Sequence, residues 1–211
     1  MEDDTYERRV SGGSGLFVDA RCHSTLSGLF AAGEVIAGLP WGAGPGAIAL
    51  GWNAGGNAAL HVQETTSLDP LPDQVEKVLA RIKSHSSKGG DLWADANLAL
   101  QRIMSSYMGD IRSEQGFKIG LYRLEELAGE WKILARNGHE TMRALEIGNL
   151  ATIAKACLMA ALERRASSRY HLHFRVDYPE WDPPEWKKWI LLRQHGDRID
   201  IEHRPIEYKY L

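Results

Sequence analysis

The sequence predicts an α+β chain: a glycine-rich strand-and-helix segment, an antiparallel helical bundle, and a small β region at the C-terminal end. Three observations carry that expectation. Twelve of the 21 glycines fall before Leu60. Apolar residues then recur at helical spacing from Leu71 to Arg165, and beyond His171 the pattern switches to strand-like alternation.

Glycine-dense sequence belongs where backbone turns sharply or approaches another group closely. Within it, Leu16-Phe17-Val18-Asp19 reads as a short strand, and Gly28 to Gly33 as a second, buried strand. Ala47 to Val62 suits a helix despite Gly51, Gly55 and Gly56. The Gly51-x-x-x-Gly55 spacing lets such a helix lie close to backbone or a ligand. Asp69-Pro70-Leu71-Pro72 breaks the chain and marks a boundary.

Four amphipathic helices are expected next: Leu71–Ser84, Asp91–Met108, Glu114–Leu134 and His139–Arg165. His171–Tyr178, Trp186–Leu192 and Ile199–His203 read as strands. The resulting division is residues 1–66, a helical domain at 67–168, and a strand-rich segment at 169–211.

Composition narrows the class. An apolar fraction of 44% with 25% charged residues is that of a globular protein, and a net charge of −3 gives no footprint for nucleic acid. Cys22 and Cys157 lack metal-ligand spacing and fit a reducing cytoplasm as small buried hydrophobes. The acidic start Met1-Glu2-Asp3-Asp4 is unlike a secretory leader. No uninterrupted apolar run reaches the ~18–20 residues of a membrane span, so a soluble, cytoplasmic chain without a transmembrane segment is expected.

Gly42-Ala-Gly44-Pro-Gly46-Ala47 fits G-x-G-x-x-A ahead of a helix, the pattern of a dinucleotide phosphate loop. Three features argue against that use. The preceding strand ends near Gly33, some eight residues too early. Pro45 removes an amide from the anion cradle, and no second β-α-β half follows. A helix N-terminus behind a glycine loop still suits a negatively polarised group.

Gly28-Leu-Phe-Ala-Ala-Gly33-Glu34, followed by Gly42-Ala-Gly44-Pro-Gly46-Ala-Ile-Ala49-Leu50, resembles the succinate dehydrogenase/fumarate reductase flavoprotein family. The resemblance extends through Ser11-Gly-Gly-Ser-Gly-Leu-Phe-Val-Asp19, Ser167-Ser168-Arg169, His173-Phe-Arg175-Val-Asp177-Tyr-Pro179 and Trp186-Lys-Lys. The stretch from Tyr170 to Glu180 is most similar to the adenylylsulfate-reductase-like branch.

That resemblance implies the C-terminal portion of an FAD-linked oxidoreductase, with a partial FAD-binding β/α segment at its start. Glu34 matches the family's FAD-contacting glutamate, whose carboxylate accepts from ribityl hydroxyls. Ala49 and Leu50 match the pair whose main-chain amides face the flavin pyrimidine carbonyl, and Gly33 and Gly46 belong to the same turn and loop. The family's substrate arginine aligns with Pro45 and its substrate histidine with Arg8, so a dicarboxylate substrate is not carried over. No catalytic residue is assigned.

The family's dinucleotide-binding N-terminal portion and capping domain have no counterpart here. The chain is therefore expected to be catalytically incomplete alone, its partners being that missing FAD-binding portion or another subunit, and an iron–sulfur electron-transfer protein. The alternative is a non-catalytic interaction module or subunit docking on a flavoprotein or iron–sulfur partner.

Other polar residues have plainer readings. His171 and His173 lack a third metal ligand, and no metal is expected; His173, Arg175 and Asp177 share a strand face and suit a polar network. Position 143 is arginine, which rules out H-E-x-x-H at His139-Glu140 and leaves a solvated or capping pair. Arg164 and Arg165 suit a helix C-terminus. Tyr178, Trp181, Trp186 and Trp189 suit packing or an interface.

Overall fold

The computed structural model describes residues 14–38, 43–65, 71–85, 89–169, 173–196 and 198–206. It divides into two compact units, Met1–Asp69 with Tyr170–Leu172, and Pro70–Arg169 with His173–Leu211. The mixture of helices and short sheets is α+β.

In the first unit the two expected strands are not regular. Leu16 bridges Ile36 in parallel, while Val18–Ser24 and His23–Phe30 are isolated antiparallel bridges. The cause is turn chemistry packed too densely for a ladder. Asp19 Oδ1 accepts from the amides of Arg21 (2.8 Å) and His23 (2.9 Å), an Asx-type turn. Cys22 sits at φ 62° and Gly28 at φ 79°. Leu29 is exposed, so the second segment is only partly buried.

Helix α1 (Ala43–Glu64) follows. It begins four residues before Ala47, since a proline in a helix's first turn removes an amide that has no intrahelical partner anyway. One face packs on the turns: Ala54 is buried, Asn53 Nδ2 donates to the Ala20 carbonyl (3.1 Å), and Asn57 Nδ2 to the Asn53 carbonyl (2.9 Å). His23, Phe30 and His61 form an aromatic trio with centroids 4.7–5.8 Å apart.

The second unit contains α2 (Pro72–Ser84), α3 (Trp93–Tyr107), β1 (Ile111–Arg112), α4 (Glu114–Glu130), α5 (Gly138–Glu163), β2 (Phe174–Arg175), β3 (Lys188–His195) and β4 (Arg198–Pro205). Helices α3, α4 and α5 pack on one another around Leu100, Phe117, Leu124, Ala154, Leu158 and Ala161. Gly120 permits that closeness: a Cβ there would lie 2.9 Å from Tyr107 Cβ and 3.2 Å from Leu158 Cδ2. Helix α2 buries none of its side chains.

Strands β3 and β4 form an antiparallel hairpin, Lys188 opposite Pro205 through His195 opposite Arg198, and β3 packs on α5. Strands β1 and β2 pair in parallel, Ile111 with Phe174 and Arg112 with Arg175. Among its described residues, the region expected as one strand from His171 to Tyr178 thus contributes two ladder residues, Phe174 and Arg175. Helix α5, with a mean hydropathy of 1.4 over its best window, is long and apolar enough to cross a membrane by length and composition. In this fold it supplies the bundle core with Ala144, Ile147, Ala154, Leu158 and Ala161.

Candidate functional site

Gly33 and Glu34 lie in a single 3-10 turn, Gly33–Val35. Gly33 adopts φ 76° and is buried, and a Cβ on it would meet Ala47 Cβ at 3.3 Å. The turn is therefore pressed on the early part of α1, at a position where only glycine combines that φ with that contact. The Leu16 amide donates to the Val35 carbonyl (2.8 Å) and the Ala37 amide to the Leu16 carbonyl (2.9 Å), clamping the turn from the other side. A Cβ on Gly15 would run into the Val35 carbonyl oxygen. Glu34 itself projects to solvent.

The earlier start of α1 changes what its backbone offers. Ala49 and Leu50 lie in the second turn, where helical geometry directs each N–H to the carbonyl four residues back. The amides without an intrahelical acceptor in the described first turn are those of Ala43 and Gly44, Pro45 having none. Ala49 is exposed, Leu50 half-buried and Gly46 half-buried. Cys22 Sγ lies 3.8 Å from the Leu50 carbonyl and 3.5 Å from Asn53 Nδ2.

The outer face of α1 is bare. Gly44, Gly51, Gly55 and Gly56 have nothing within 4 Å of a Cβ position. Ile48 is 77% and Trp52 87% exposed. No Asp, Glu, Lys or Arg occurs between Ala43 and Gln63.

The second unit gathers its polar residues differently. Arg175 is fully buried. Its Nε and Nη2 donate to the two Asp177 carboxylate oxygens at 2.7 Å each, and Nη1 donates to the carbonyls of Ala161 (2.9 Å) and Arg164 (2.8 Å) at the end of α5. Asp177 also accepts from the Glu114 amide at the start of α4 (2.8 Å). The Arg175 guanidinium, with that amide assisting, holds the Asp177 carboxyl down at about 2. A cation at a helix C-terminus and an anion at an N-terminus both oppose the macrodipole.

Arg112, opposite Arg175 in the ladder, repeats the arrangement at the end of α3. Its Nε donates to the Gly109 carbonyl (2.7 Å), Nη2 to the Met108 carbonyl (3.2 Å), and Nη1 to His173 Nδ1 (2.6 Å). Burial pushes the Arg112 guanidinium below its ordinary value, against the pull of Asp110 and Cys157. Burial also pushes the Cys157 thiol up. The His173 ring is stacked parallel to Phe117, centroids 6.2 Å apart, and Phe117 also carries the Arg175 guanidinium at 5.0 Å.

Of the expected network of His173, Arg175 and Asp177, the structure pairs Arg175 with Asp177, while the His173 ring bonds to Arg112 instead; two polar members were missed by the sequence reading. Arg112 was one, and Ser167, whose Oγ donates to the Tyr178 carbonyl (2.8 Å) and accepts from the Arg175 amide (2.9 Å), was the other. His139-Glu140 resolves as a cap. Asn137 Oδ1 accepts from the Glu140 amide (3.0 Å), and Arg136 binds the Glu140 carboxylate through side chain and backbone, holding it at about 2. Arg164 is the C-cap of α5. Trp186 lies between Lys188, Arg164 and His203, and Trp181 stacks on Phe174. His171, Arg8, Gly42, Ser11-Gly12-Gly13 and Tyr170 lie outside the described residues. Among the described residues no group of three or more His, Cys, Asp or Glu side chains is placed to hold a metal ion.

Against known families, residues 97–211 match the one described as fumarate reductase flavoprotein C-term. The chain belongs to that family. An uncharacterised FAD-dependent oxidoreductase of Methanocaldococcus jannaschii is 30% identical over 85% of this chain and 34% of its own length. The succinate dehydrogenase flavoprotein subunit of Coxiella burnetii is 29% identical over 87% of this chain and 33% of its own. In three dimensions, E. coli quinol fumarate reductase superposes with a TM-score of 0.81, at 21% identity, covering 93% of this chain and 37% of that one. This flavoprotein C-terminal chain spans about a third of the length of the curated relatives it matches.

Proposed function

We propose that this chain works as the C-terminal, cofactor-supporting part of an FAD-dependent oxidoreductase. It seats one edge of a flavin and is not catalytically complete by itself. Glu34 accepts hydrogen bonds from ribityl hydroxyls. Gly33 and Gly46 keep backbone low beneath the ring, and the positive end of α1 faces the pyrimidine carbonyl. FAD supplies the hydride or electron-pair chemistry; these residues bind and orient it.

The observation that carries this reading is the placement of Glu34. It is a solvent-facing carboxylate on a glycine turn pressed against the early part of α1, a helix with no Asp, Glu, Lys or Arg before Glu64 and with His61 in its last turns. A charge-free, glycine-lined helix face with Ile48 and Trp52 in water calls for a cover. The portion of the relatives outside the aligned third is the proposed cover, with an iron–sulfur protein as electron partner. Ala49 and Leu50 donate to the flavin only if α1 begins near Ala47 in the loaded state, so flavin binding is expected to unwind its first turn. The two free thiols support a reducing, cytoplasmic setting.

The test is Glu34→Gln in the chain co-produced with the portion of a flavoprotein relative that lies outside the aligned third. Losing a charge-assisted acceptor weakens flavin retention by about tenfold or more, while the unfolding of the chain alone is unchanged because Glu34 is exposed. Equal flavin retention by Glu34→Gln and the parent removes Glu34 from the site.

A further inference from the structure

Helix α1 is tied to the turns beside it by two side-chain amides whose orientation the backbone dictates. The Asn53 carbonyl can only accept, so the Asn57 Nδ2 atom lying 2.9 Å from it is the donor end of that side chain. The same Nδ2 lies 2.9 Å from Asn53 Oδ1, which makes Oδ1 the acceptor and directs Asn53 Nδ2 away from Asn57. Nδ2 carries two hydrogens and has two acceptors in reach, the Ala20 carbonyl (3.1 Å) and Cys22 Sγ (3.5 Å). The Cys22 thiol, a weak donor, reaches the Leu50 carbonyl in turn (3.8 Å). A flipped Asn53 amide would set oxygen against the Ala20 carbonyl and nitrogen against nitrogen, so the network has one polarity.

The far side of this network leads to Glu34. Cys22 is buried and adopts φ 62°, a left-handed backbone that a non-glycine residue holds where its surroundings require it. Its amide donates to the Asp19 carbonyl (3.0 Å), and its carbonyl accepts from the Ala31 amide (3.0 Å), just before Gly33. Helix α1 is thus fastened to the segment carrying Glu34 at two levels. One is the contact of Gly33 with Ala47; the other is Asn53, about a turn and a half further along. A single contact leaves a helix free to turn about its axis, and a second at another level removes that freedom. Leu50, Asn53, Ala54 and Asn57 fall on one stripe of α1 and are all buried or half-buried, while Ile48 and Trp52 on the other side are exposed.

We propose that Asn53 is a positioning residue for the flavin edge: its carboxamide pins α1 to the turn at Ala20 to Cys22 and so sets Leu50 relative to Glu34. This rests on the flavin reading given above and adds a stop to the unwinding expected there. The first turn of α1 opens toward the cofactor, and the Asn53 and Cys22 bonds keep the helix from Leu50 onward in place. Leu50 is where the two parts meet. Its carbonyl is held by Cys22, and its amide is one of the pair offered to the flavin.

The experiment compares the parent with Asn53→Leu, which keeps about the same size and removes both donors and the acceptor. Two readouts separate this inference from the reading beneath it. In the chain alone, amide hydrogen exchange from Ala49 to Asn57 should quicken by about tenfold in Asn53→Leu, with α4 and α5 unchanged. In the chain assembled with the complementary flavoprotein portion, FAD should leave about tenfold faster and the midpoint potential of the bound flavin should move. A merely structural amide would lower the unfolding midpoint and leave that potential where it is. Unchanged exchange, or a bound flavin with the parent's potential, overturns the proposal. A parent pair that emerges colourless overturns the flavin reading and the positioning role with it, while the exchange readout still decides whether Asn53 pins α1. Should Asn53→Leu fail to fold, Asn57→Ala frees the same amide to flip, and α1 exchange equal to the parent's then overturns the proposal.

Discussion

Glycines in α1 and in α4 occupy similar helical positions and have opposite surroundings. Gly120 in α4 is hemmed in by Tyr107 and Leu158, so its missing side chain is what lets three helices close on one core. Gly51, Gly55 and Gly56 in α1 face open space. Each costs about 1 kcal/mol of helix stability relative to alanine and meets nothing in exchange among the described residues. The same division runs through the polar groups. Arg175, Arg112 and Asp177 are satisfied inside the second unit, whereas Glu34 is presented to solvent by the first. The Arg175 and Arg112 side chains of the second unit are answered within it, whereas the bare face of α1 is the surface that the proposed function covers.

The sharpest way to break this contrast is at Arg175. Arg175→Met strands Asp177 and uncaps the end of α5, and a cost of about 3–5 kcal/mol is expected in urea unfolding. Gly120→Ala should cost about 1–3 kcal/mol by overpacking Tyr107, read from the same transition. Asp177→Asn should cost about 1–2 kcal/mol at neutral pH, after allowance for the partial exposure of that carboxylate. The folded carboxyl lies at about 2 against a model value of 3.8. Its contribution is therefore complete above the unfolded value and lost as pH falls toward the folded one, so the gap between parent and Asp177→Asn closes in that interval. Gly55→Ala reverses the sign, raising the melting temperature of the chain by the equivalent of about 1 kcal/mol. A destabilised Gly55→Ala would mean that α1 is already covered.

The helices of the second unit were legible from their apolar spacing, and two of them begin at a boundary residue with a job, Ser113 accepting from the Gly116 amide (3.0 Å) and Asn137 from the Glu140 amide (3.0 Å). The order of helices and a small C-terminal β region followed from the change of period alone; that two of its strands pair as a hairpin was seen in the structure. What could not be read were features that depend on partners distant in sequence. The segment from Gly28 to Gly33 looked like a strand by composition, but its neighbours are turns and no ladder forms. Arg112 belongs to no motif; it is buried where β1 meets β2, more than sixty residues later. Asn53, in an apolar stretch of α1, was the available clue to the packed side of that helix, since a polar amide there needs carbonyls such as that of Ala20. The residues proposed to touch flavin came from motif resemblance, and the start of α1 at Ala43 alters which amides are free.

The central claim is that this chain supplies one edge of a flavin site and needs a covering portion to hold the cofactor. The most direct measurement is the visible spectrum of the purified chain with added FAD, after gel filtration, alone and with the complementary flavoprotein portion. The account predicts no retained flavin for the chain alone and stoichiometric flavin for the assembled pair. One flavin held per chain by this protein alone would contradict it, and so would an assembled pair that emerges colourless.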